Sequence, residues 1–311
     1  MLNTNEVRIE TSTVCNHRCL FCTHATHLKR KKEIMSLKMF KFLLDKIKDQ
    51  APNITDVTIS GFGEAFTDPT ILKKIGYADR LDYNVHMLTN GTFLNKDVID
   101  YLLTLPLVDF RISLHSLDAN TWSFITGGNP KNHRKLLDQI DYIISSKSDK
   151  TKLIITVDVI DANMDEVEHI IDRYSDIVDL LEIWKPHNWV NTLSYRNGQT
   201  VKTSCGRPLN SPLQVQVDGT VNMCCFDFNG ELLLGDLKTQ SIDEIFNSKE
   251  YLELRQAHLN GTLDCSNYIC KDCDQRRKQD GIVIYNNKFK EKDRIGRTST
   301  THTKVNILDN E

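Results

Sequence analysis

No apolar run in this sequence approaches the roughly 18–20 residues that a membrane helix needs, so no spanning segment is expected. The N-terminus, Met1-Leu2-Asn3-Thr4-Asn5-Glu6, lacks both the basic start and the apolar core of a secretory signal, and a cytoplasmic location is expected. An excess of charge of one sign is also missing. Lys and Arg number 39 against 42 Asp and Glu, a net charge of −3, which speaks against general nucleic-acid or anionic-membrane binding. An even cysteine count is lacking too. The nine cysteines fall in two groups, at 15–22 and 205–273, a pattern that fits metal sites better than a disulfide framework. What is present is ordinary for a soluble chain: 40% hydrophobic and 26% charged residues, with length for one large domain and a smaller one.

Cys15-Asn16-His17-Arg18-Cys19-Leu20-Phe21-Cys22 sets three cysteines in C-x3-C-x2-C spacing just after an extended-looking run, Val7–Thr11. Three thiolates can each bind one iron of a 4Fe–4S cube, and a fourth would close it. Three leave one iron open to a small molecule carrying an amine and a carboxylate. Structural zinc is the alternative, with His17, His24 or His27 as the fourth ligand. The Lys29-Arg30-Lys31-Lys32 run that follows reads as a solvated face, or as a docking patch for an acidic electron carrier.

Further on, short β-branched runs alternate with amphipathic stretches. Helices are expected over about 37–49, 69–77, 94–105, 136–144 and 164–174, and strands near 7–11, 57–59, 84–88, 109–115, 153–160 and 180–184. Such alternation implies a parallel sheet with crossover helices, and six units fall short of the eight of a closed TIM barrel. Ligand sites in parallel sheets lie at the carboxyl ends of the strands. There this chain places Cys15–Cys22, Gly61–Glu64, Thr89–Gly91, Ser113–Ser116 and Lys185–His187.

The cysteine spacing, with Phe21 directly before the third cysteine, resembles the radical SAM enzymes. That resemblance implies an α/β fold, a partial (βα)6 TIM-like barrel. It implies a 4Fe–4S cluster on Cys15, Cys19 and Cys22 that binds S-adenosylmethionine (SAM) at its open iron. Reductive cleavage of SAM then gives a 5′-deoxyadenosyl radical, which removes a hydrogen atom from a substrate; a flavodoxin- or ferredoxin-type donor supplies the electron. Gly61-Phe62-Gly63-Glu64 resembles the Gly-Gly-Glu-type motif that holds the SAM amino group, departing from it in Phe62 and in Ala65, where proline is common. Thr89-Asn90-Gly91 matches the family tripeptide after the third strand. Ser113 and His115 are expected on the fourth strand, where the family places a polar residue near the SAM ribose; a spacing of two puts both on one face.

From about residue 186 the pattern changes. Residues 186–204 read as a connecting loop, and Leu213–Val217 and Thr220–Cys224 as a hairpin around Asp218-Gly219, a pair suited to positive φ angles. Cys205, Cys224, Cys270 and Cys273 can close an all-thiolate site, for which a zinc ribbon and a cluster are equal on spacing alone. The segment from Cys205 through Gly219-x4-Cys224 to Cys270-x2-Cys273 resembles the SPASM/twitch extension. This implies one auxiliary 4Fe–4S cluster, because the seven-cysteine SPASM set is incomplete. Cys225 is left as a buried free thiol, and Cys265 is left over or replaces one ligand. The expected division is a radical SAM core over 1–200, a SPASM/twitch domain over 201–280, and a polar, mostly flexible tail over 281–311 in which Ile282–Tyr285 can pack back as a strand or helix end.

The implied reaction is oxidation or epimerisation of a small polyol, sugar or cyclitol, with the auxiliary cluster as electron acceptor and a general base taking a proton. Candidates for that base are His115, Lys185, His187 and Asp227. The alternative is a maturase of ribosomally made peptides; such enzymes often carry an N-terminal recognition domain, for which a cluster loop at residue 15 leaves no room. A reading of another class is a zinc-stabilised binding protein without turnover.

Overall fold

Six strands follow one another in the sheet in chain order: β1 (Glu6–Ile9), β2 (Asp56–Ile59), β3 (Asn84–Thr89), β4 (Leu107–Ser113), β5 (Lys152–Asp158) and β6 (Leu180–Trp184), each parallel to the next. The computed structural model describes residues 4–105, 107–190, 192–196, 200–278 and 283–287. Central strands carry near-continuous apolar runs: Leu153, Ile154, Ile155, Thr156 and Val157 of β5 are all buried, as expected for parallel strands covered on both faces. The crossovers are α1 (Leu37–Gln50), α2 (Ile71–Arg80), α3 (Lys96–Thr104), α4 (Ala119–Thr126), α5 (Lys131–Ser146) and α6 (Val167–Tyr174). In α1, Phe40, Leu43, Leu44 and Ile47 make the buried stripe at i, i+3, i+4 and i+7. Its start is fixed by the Ser36 hydroxyl, which accepts the Met39 N–H.

Helix α4 was not legible as a period, because eight residues are too few. It is set by its ends: the Asp118 carboxylate accepts the Asn120 and Thr121 N–H groups, and Gly127 closes it in the left-handed conformation.

The later segment continues the same sheet. It contributes β7 (Thr200–Val201), α7 (Arg207–Asn210), β8 (Leu213–Val215), β9 (Thr220–Asn222), β10 (Leu233–Asp236), α8 (Ile242–Phe246), α9 (Lys249–Asn260) and β11 (Arg277–Lys278), which pairs with β7. Strand β8 pairs parallel with β1, Val7 facing Leu213 and Ile9 facing Val215, and β9 and β10 extend outward in antiparallel fashion. At the opposite edge β12 (Val283–Asn286) pairs antiparallel with β6, with Val283 and Tyr285 buried. Val283–Tyr285 thus pack back as a strand, one of the two forms expected for that stretch, and Asn286 extends it; the rest of 281–311, including Ile282, lies outside the described residues apart from Asn287. The sheet order runs β10-β9-β8-β1-β2-β3-β4-β5-β6-β12, with β10 and β12 at its edges among the described residues. It is the expected α/β fold, an open partial barrel rather than a closed one. Among the described residues no helix is long and apolar enough to cross a membrane.

The hairpin turn differs from the expectation in detail. Only Gly219 takes positive φ, at 88°. The Gly219 N–H donates to the Gln216 carbonyl and Gln216 N–H to the Thr220 carbonyl. This is a longer loop with one left-handed residue, in which Asp218 serves as acceptor for the Thr220 N–H and hydroxyl.

Candidate active site

A cavity of about 230 Å³ opens at the carboxyl ends of the parallel strands, lined by residues from several of their loops. The loop after β1 brings Cys15, Cys19, Phe21 and Cys22; the loop after β2 brings Gly61–Glu64; Thr89 and Asn90 follow β3. Ser113, His115, Asp158, His187 and Trp189 complete much of the wall.

The cysteine loop is pinned from behind by α4. The Arg18 N–H donates to the Thr126 carbonyl at 2.7 Å and Leu20 N–H to the Ile125 carbonyl at 2.9 Å. Gly127 permits this approach, since a Cβ there would lie 3.0 Å from Arg18 Cβ. Each histidine read as a possible zinc ligand has one ring nitrogen hydrogen-bonded, while the buried His24 Nδ1 has no partner among the described residues. His17 Nε2 meets the Thr92 hydroxyl at 3.0 Å, His24 Nε2 donates to the Thr13 carbonyl at 2.8 Å, and His27 Nδ1 meets the Thr26 hydroxyl at 2.7 Å. Burial pushes the Cys22 thiol up to about 12 and raises Cys15 and Cys19 as well, with neighbouring thiols adding to the effect. Three such thiols ionise together only against a cationic partner. A cube asks each thiolate to meet a different iron. The donor set fits a cluster.

Glu64 is buried and ties two loops together. It accepts the Thr89 hydroxyl at 2.7 Å, the Asn90 N–H at 2.7 Å and the Phe66 N–H at 3.1 Å. Burial raises its pKa, and these three donors offset part of the rise. Both glycines of the motif have a packing reason. A Cβ on Gly63 would stand 2.5 Å from the Ser12 and Val14 carbonyls, and one on Gly61 would stand 2.3 Å from Glu10 Cγ.

His115 does not lie on the fourth strand. Strand β4 ends at Ser113, and His115 takes the left-handed conformation at φ 69°, unusual for a residue with a Cβ. Ser113 and His115 therefore reach the same cavity through a turn, not through strand alternation. The Asp158 N–H donates to His115 Nδ1 at 3.1 Å and Asn163 Nδ2 donates to the His115 carbonyl at 2.6 Å. The ring is neutral with its proton on Nε2, and burial, with His17 nearby, lowers its pKa to about 3. Phe21 packs on it at 4.7 Å.

Two cavity residues escaped the sequence reading. Asp158 ends β5, and its carboxylate accepts no hydrogen bond among the described residues; burial pushes it up to about 7 while Arg196 pulls it back. An acid closing an apolar strand was the available signal. Trp189, at φ 49°, donates its indole N–H to the Phe21 carbonyl at 2.7 Å; nothing local marked it. Two expected residues are absent from the wall. Lys185 contributes its carbonyl to the Arg196 guanidinium. Asp227 is a turn acceptor for the Glu231 and Leu232 N–H groups, at 2.8 and 2.9 Å.

Cys205, Cys224, Cys270 and Cys273 line a second, smaller cavity with Arg207, Phe226 and Gln275. Burial raises Cys224 and Cys273 strongly and Cys270 to about 12, and the facing thiols reinforce the shift. Cys225 and Cys265 are not on its wall; Cys265 is exposed. The two cavities share a partition. His187, on the first, packs edge-on against Phe226 at 4.5 Å, and its Nδ1 meets Gln275 Nε2 at 3.3 Å.

A family model described as the Radical SAM superfamily matches residues 9–174, and one described as an iron–sulfur cluster-binding domain, SPASM, matches residues 205–274. Among curated proteins, the S-adenosyl-L-methionine-dependent 2-deoxy-scyllo-inosamine dehydrogenase of Niallia circulans is 21% identical over 273 residues, covering 86% of this chain and 91% of that protein. Among solved structures, BtrN in complex with AdoMet and 2-DOIA aligns with a TM-score of 0.61 at 17% identity, covering 90% of this chain and 98% of that one. Streptococcus suis SuiB bound to precursor peptide SuiA aligns at 0.64 and 14% identity, covering 90% and 75%. The structural likenesses show the fold.

Proposed function

Because the chain belongs to the radical SAM superfamily and carries a C-terminal SPASM iron–sulfur cluster-binding domain, we propose that it dehydrogenates a small polyol, sugar or cyclitol at a carbinol carbon. The two domains bring a SAM-binding 4Fe–4S cluster, SAM and an auxiliary cluster. Cys15, Cys19 and Cys22 would hold the first cluster, and Cys205, Cys224, Cys270 and Cys273 the second. When bound, these groups supply a hydrogen-abstracting radical on one side and an acceptor for one electron on the other. The substrate loses one hydrogen atom, one proton and one electron, the balance of a dehydrogenation.

In this reading the chain's residues divide the remaining work. Glu64, held by Thr89 and Asn90, orients the SAM ammonium. Neutral His115 offers its Nε2–H, and Ser113 its hydroxyl, to hydroxyl groups of ribose or substrate. Asp158, the cavity carboxylate without a hydrogen-bonded partner among the described residues, takes the proton. His187 and Trp189, packed on Phe226, close the wall against water. A flavodoxin- or ferredoxin-type protein delivers the starting electron.

The observation that carries this reading is the convergence of the three thiols, the Glu64 turn and Asp158 on one cavity that shares a wall with the four-cysteine cavity. The coverage of the Niallia circulans dehydrogenase supports the substrate class. A peptide is the second reading, favoured by the likeness to SuiB with its precursor peptide. The test is anaerobic incubation of reconstituted protein with SAM, dithionite and carbinol-deuterated aminocyclitols. Deuterium in 5′-deoxyadenosine and a ketone product are expected. Transfer from a peptide but from no polyol would overturn the substrate assignment.

A further inference from the structure

We propose that Arg207 is the counter-charge of the auxiliary cluster and raises its reduction potential. The inference rests on the reading that Cys205, Cys224, Cys270 and Cys273 hold that cluster. Arg207 follows Cys205 by two residues, after Gly206 turns the chain at φ 80°. Its guanidinium lies 4.9 Å over the Phe226 ring, with Nη1 3.9 Å from Cys225 Sγ, and it shares a cavity wall with all four cysteines. No carboxylate pairs with it among the described residues. The other arginine on that wall, Arg276, is satisfied by the Asp264 carboxylate at 2.9 Å and by the Lys271 and Lys202 carbonyls.

A half-buried cation pressed onto an aromatic face with no carboxylate beside it is costly unless another negative group faces it. Four thiolates on an iron–sulfur cube are such a group. The cube is anionic and gains one negative charge when it accepts one electron, so a nearby cation stabilises the reduced form more than the oxidised form. Phe226 contacts both Arg207 and His187 of the substrate cavity. The charge is therefore placed behind the partition an electron from the substrate has to cross.

The test uses the full chain with Cys15, Cys19 and Cys22 replaced by Ala, so that only the auxiliary cluster contributes iron and paramagnetic signal. Iron content and EPR-monitored midpoint potential are measured with Arg207 intact and in Arg207→Met, Arg207→Gln and Arg207→Lys. In the Met and Gln variants the reduced-to-oxidised ratio at fixed poise is expected to fall tenfold or more, a drop of about 59 mV for a one-electron couple. The Lys variant should fall by less. Iron present with an unchanged potential in Met or Gln overturns the proposal alone. A Lys variant falling as far as Gln overturns charge as the cause, and this comparison stands if the Met variant fails to assemble. No iron with Arg207 intact overturns the four-cysteine reading and the proposal with it.

Discussion

Removing the Arg30 guanidinium should loosen two distant loops at once. Arg30 grips Glu10 in a bidentate pair, Nη1 to Oε1 at 2.7 Å and Nη2 to Oε2 at 2.8 Å, and its Nε donates to the Phe228 carbonyl at 2.7 Å. The same carboxylate accepts the Phe62 N–H at 2.9 Å and the Val217 N–H at 3.2 Å. The side chains are 16% and 8% exposed, so the pair is screened little by solvent. Breaking a buried pair by removing one partner costs about 3–5 kcal/mol. Two backbone donors remain on Glu10 after Arg30→Met, so the lower figure, about 3 kcal/mol, applies. At about 1.4 kcal/mol per tenfold, protection of the Phe62 and Val217 amides against hydrogen exchange should fall by about 100-fold. Native-state exchange with mass spectrometry reads both peptides on the holoprotein without assuming a two-state unfolding. A β5 peptide serves as control and should not move. Raising the salt concentration should leave the wild-type protection intact, unlike that of a surface pair. Acceleration at Phe62 with none at Val217 would refute the claim that one carboxylate joins the two loops.

Cys19→Ala should take iron from about eight to about four per chain and abolish 5′-deoxyadenosine formation, while Cys270→Ala should leave uncoupled SAM cleavage and stop product formation; normal product from the latter would remove the auxiliary site from the reaction. Asp158→Asn should cut product formation by about 10²–10⁴-fold with SAM binding retained. Because burial raises Asp158 to about 7, the active carboxylate form is lost as pH falls through 7, so product formation should drop on the acid side, with a flat profile counting against Asp158 as base. His258 is buried, bonded through Nδ1 to the Ser204 hydroxyl at 2.8 Å, and lowered from 6.5 to about 4 by burial and then by Arg276. A depressed folded-state pKa means its stabilisation is complete above 6.5 and lost as pH falls through 4, about 3 kcal/mol in all; His258→Gln should flatten the fall in Tm between pH 7 and 4, and an unchanged slope would refute this.

The parallel core was legible because its strands are apolar on both faces and its longer helices show a clean stripe, as Phe40, Leu43, Leu44 and Ile47 do in α1. The cysteine loop was legible because its chemistry is local: three thiols within eight residues need no fold to be seen together. What failed to show was made by contacts far apart in sequence or by too few residues. The Lys29–Lys32 run reads as solvated charge, yet only its lysines conform; Arg30 turns inward to Glu10, twenty residues back. Helix α4 is too short for a period. Asp227 and Lys185 had suitable chemistry, but backbone bonds send them elsewhere. His115 departs from strand alternation through a left-handed backbone that no side-chain pattern signals.

Strand β1 explains how the two halves of the chain come to share one site. It lies between β2 and β8, so the core and the cysteine-rich segment are joined by main-chain ladder bonds rather than by the 186–204 loop alone. Its next residue, Glu10, receives the Phe62 N–H of the glycine-rich turn, the Val217 N–H of the hairpin and Arg30 from beyond the cysteines. Gly61 has to be glycine for that side chain to pass, since Glu10 Cγ stands 2.3 Å from where a Cβ would be. One carboxylate thus ties the loop bearing the first three cysteines to the glycine-rich turn and to the hairpin leading to Cys224. A sheet and a buried ion pair yield less than a flexible linker does, so the His187–Phe226–Gln275 partition keeps its thickness. The proposed electron transfer across that wall would need such constancy, which would follow from where β8 pairs.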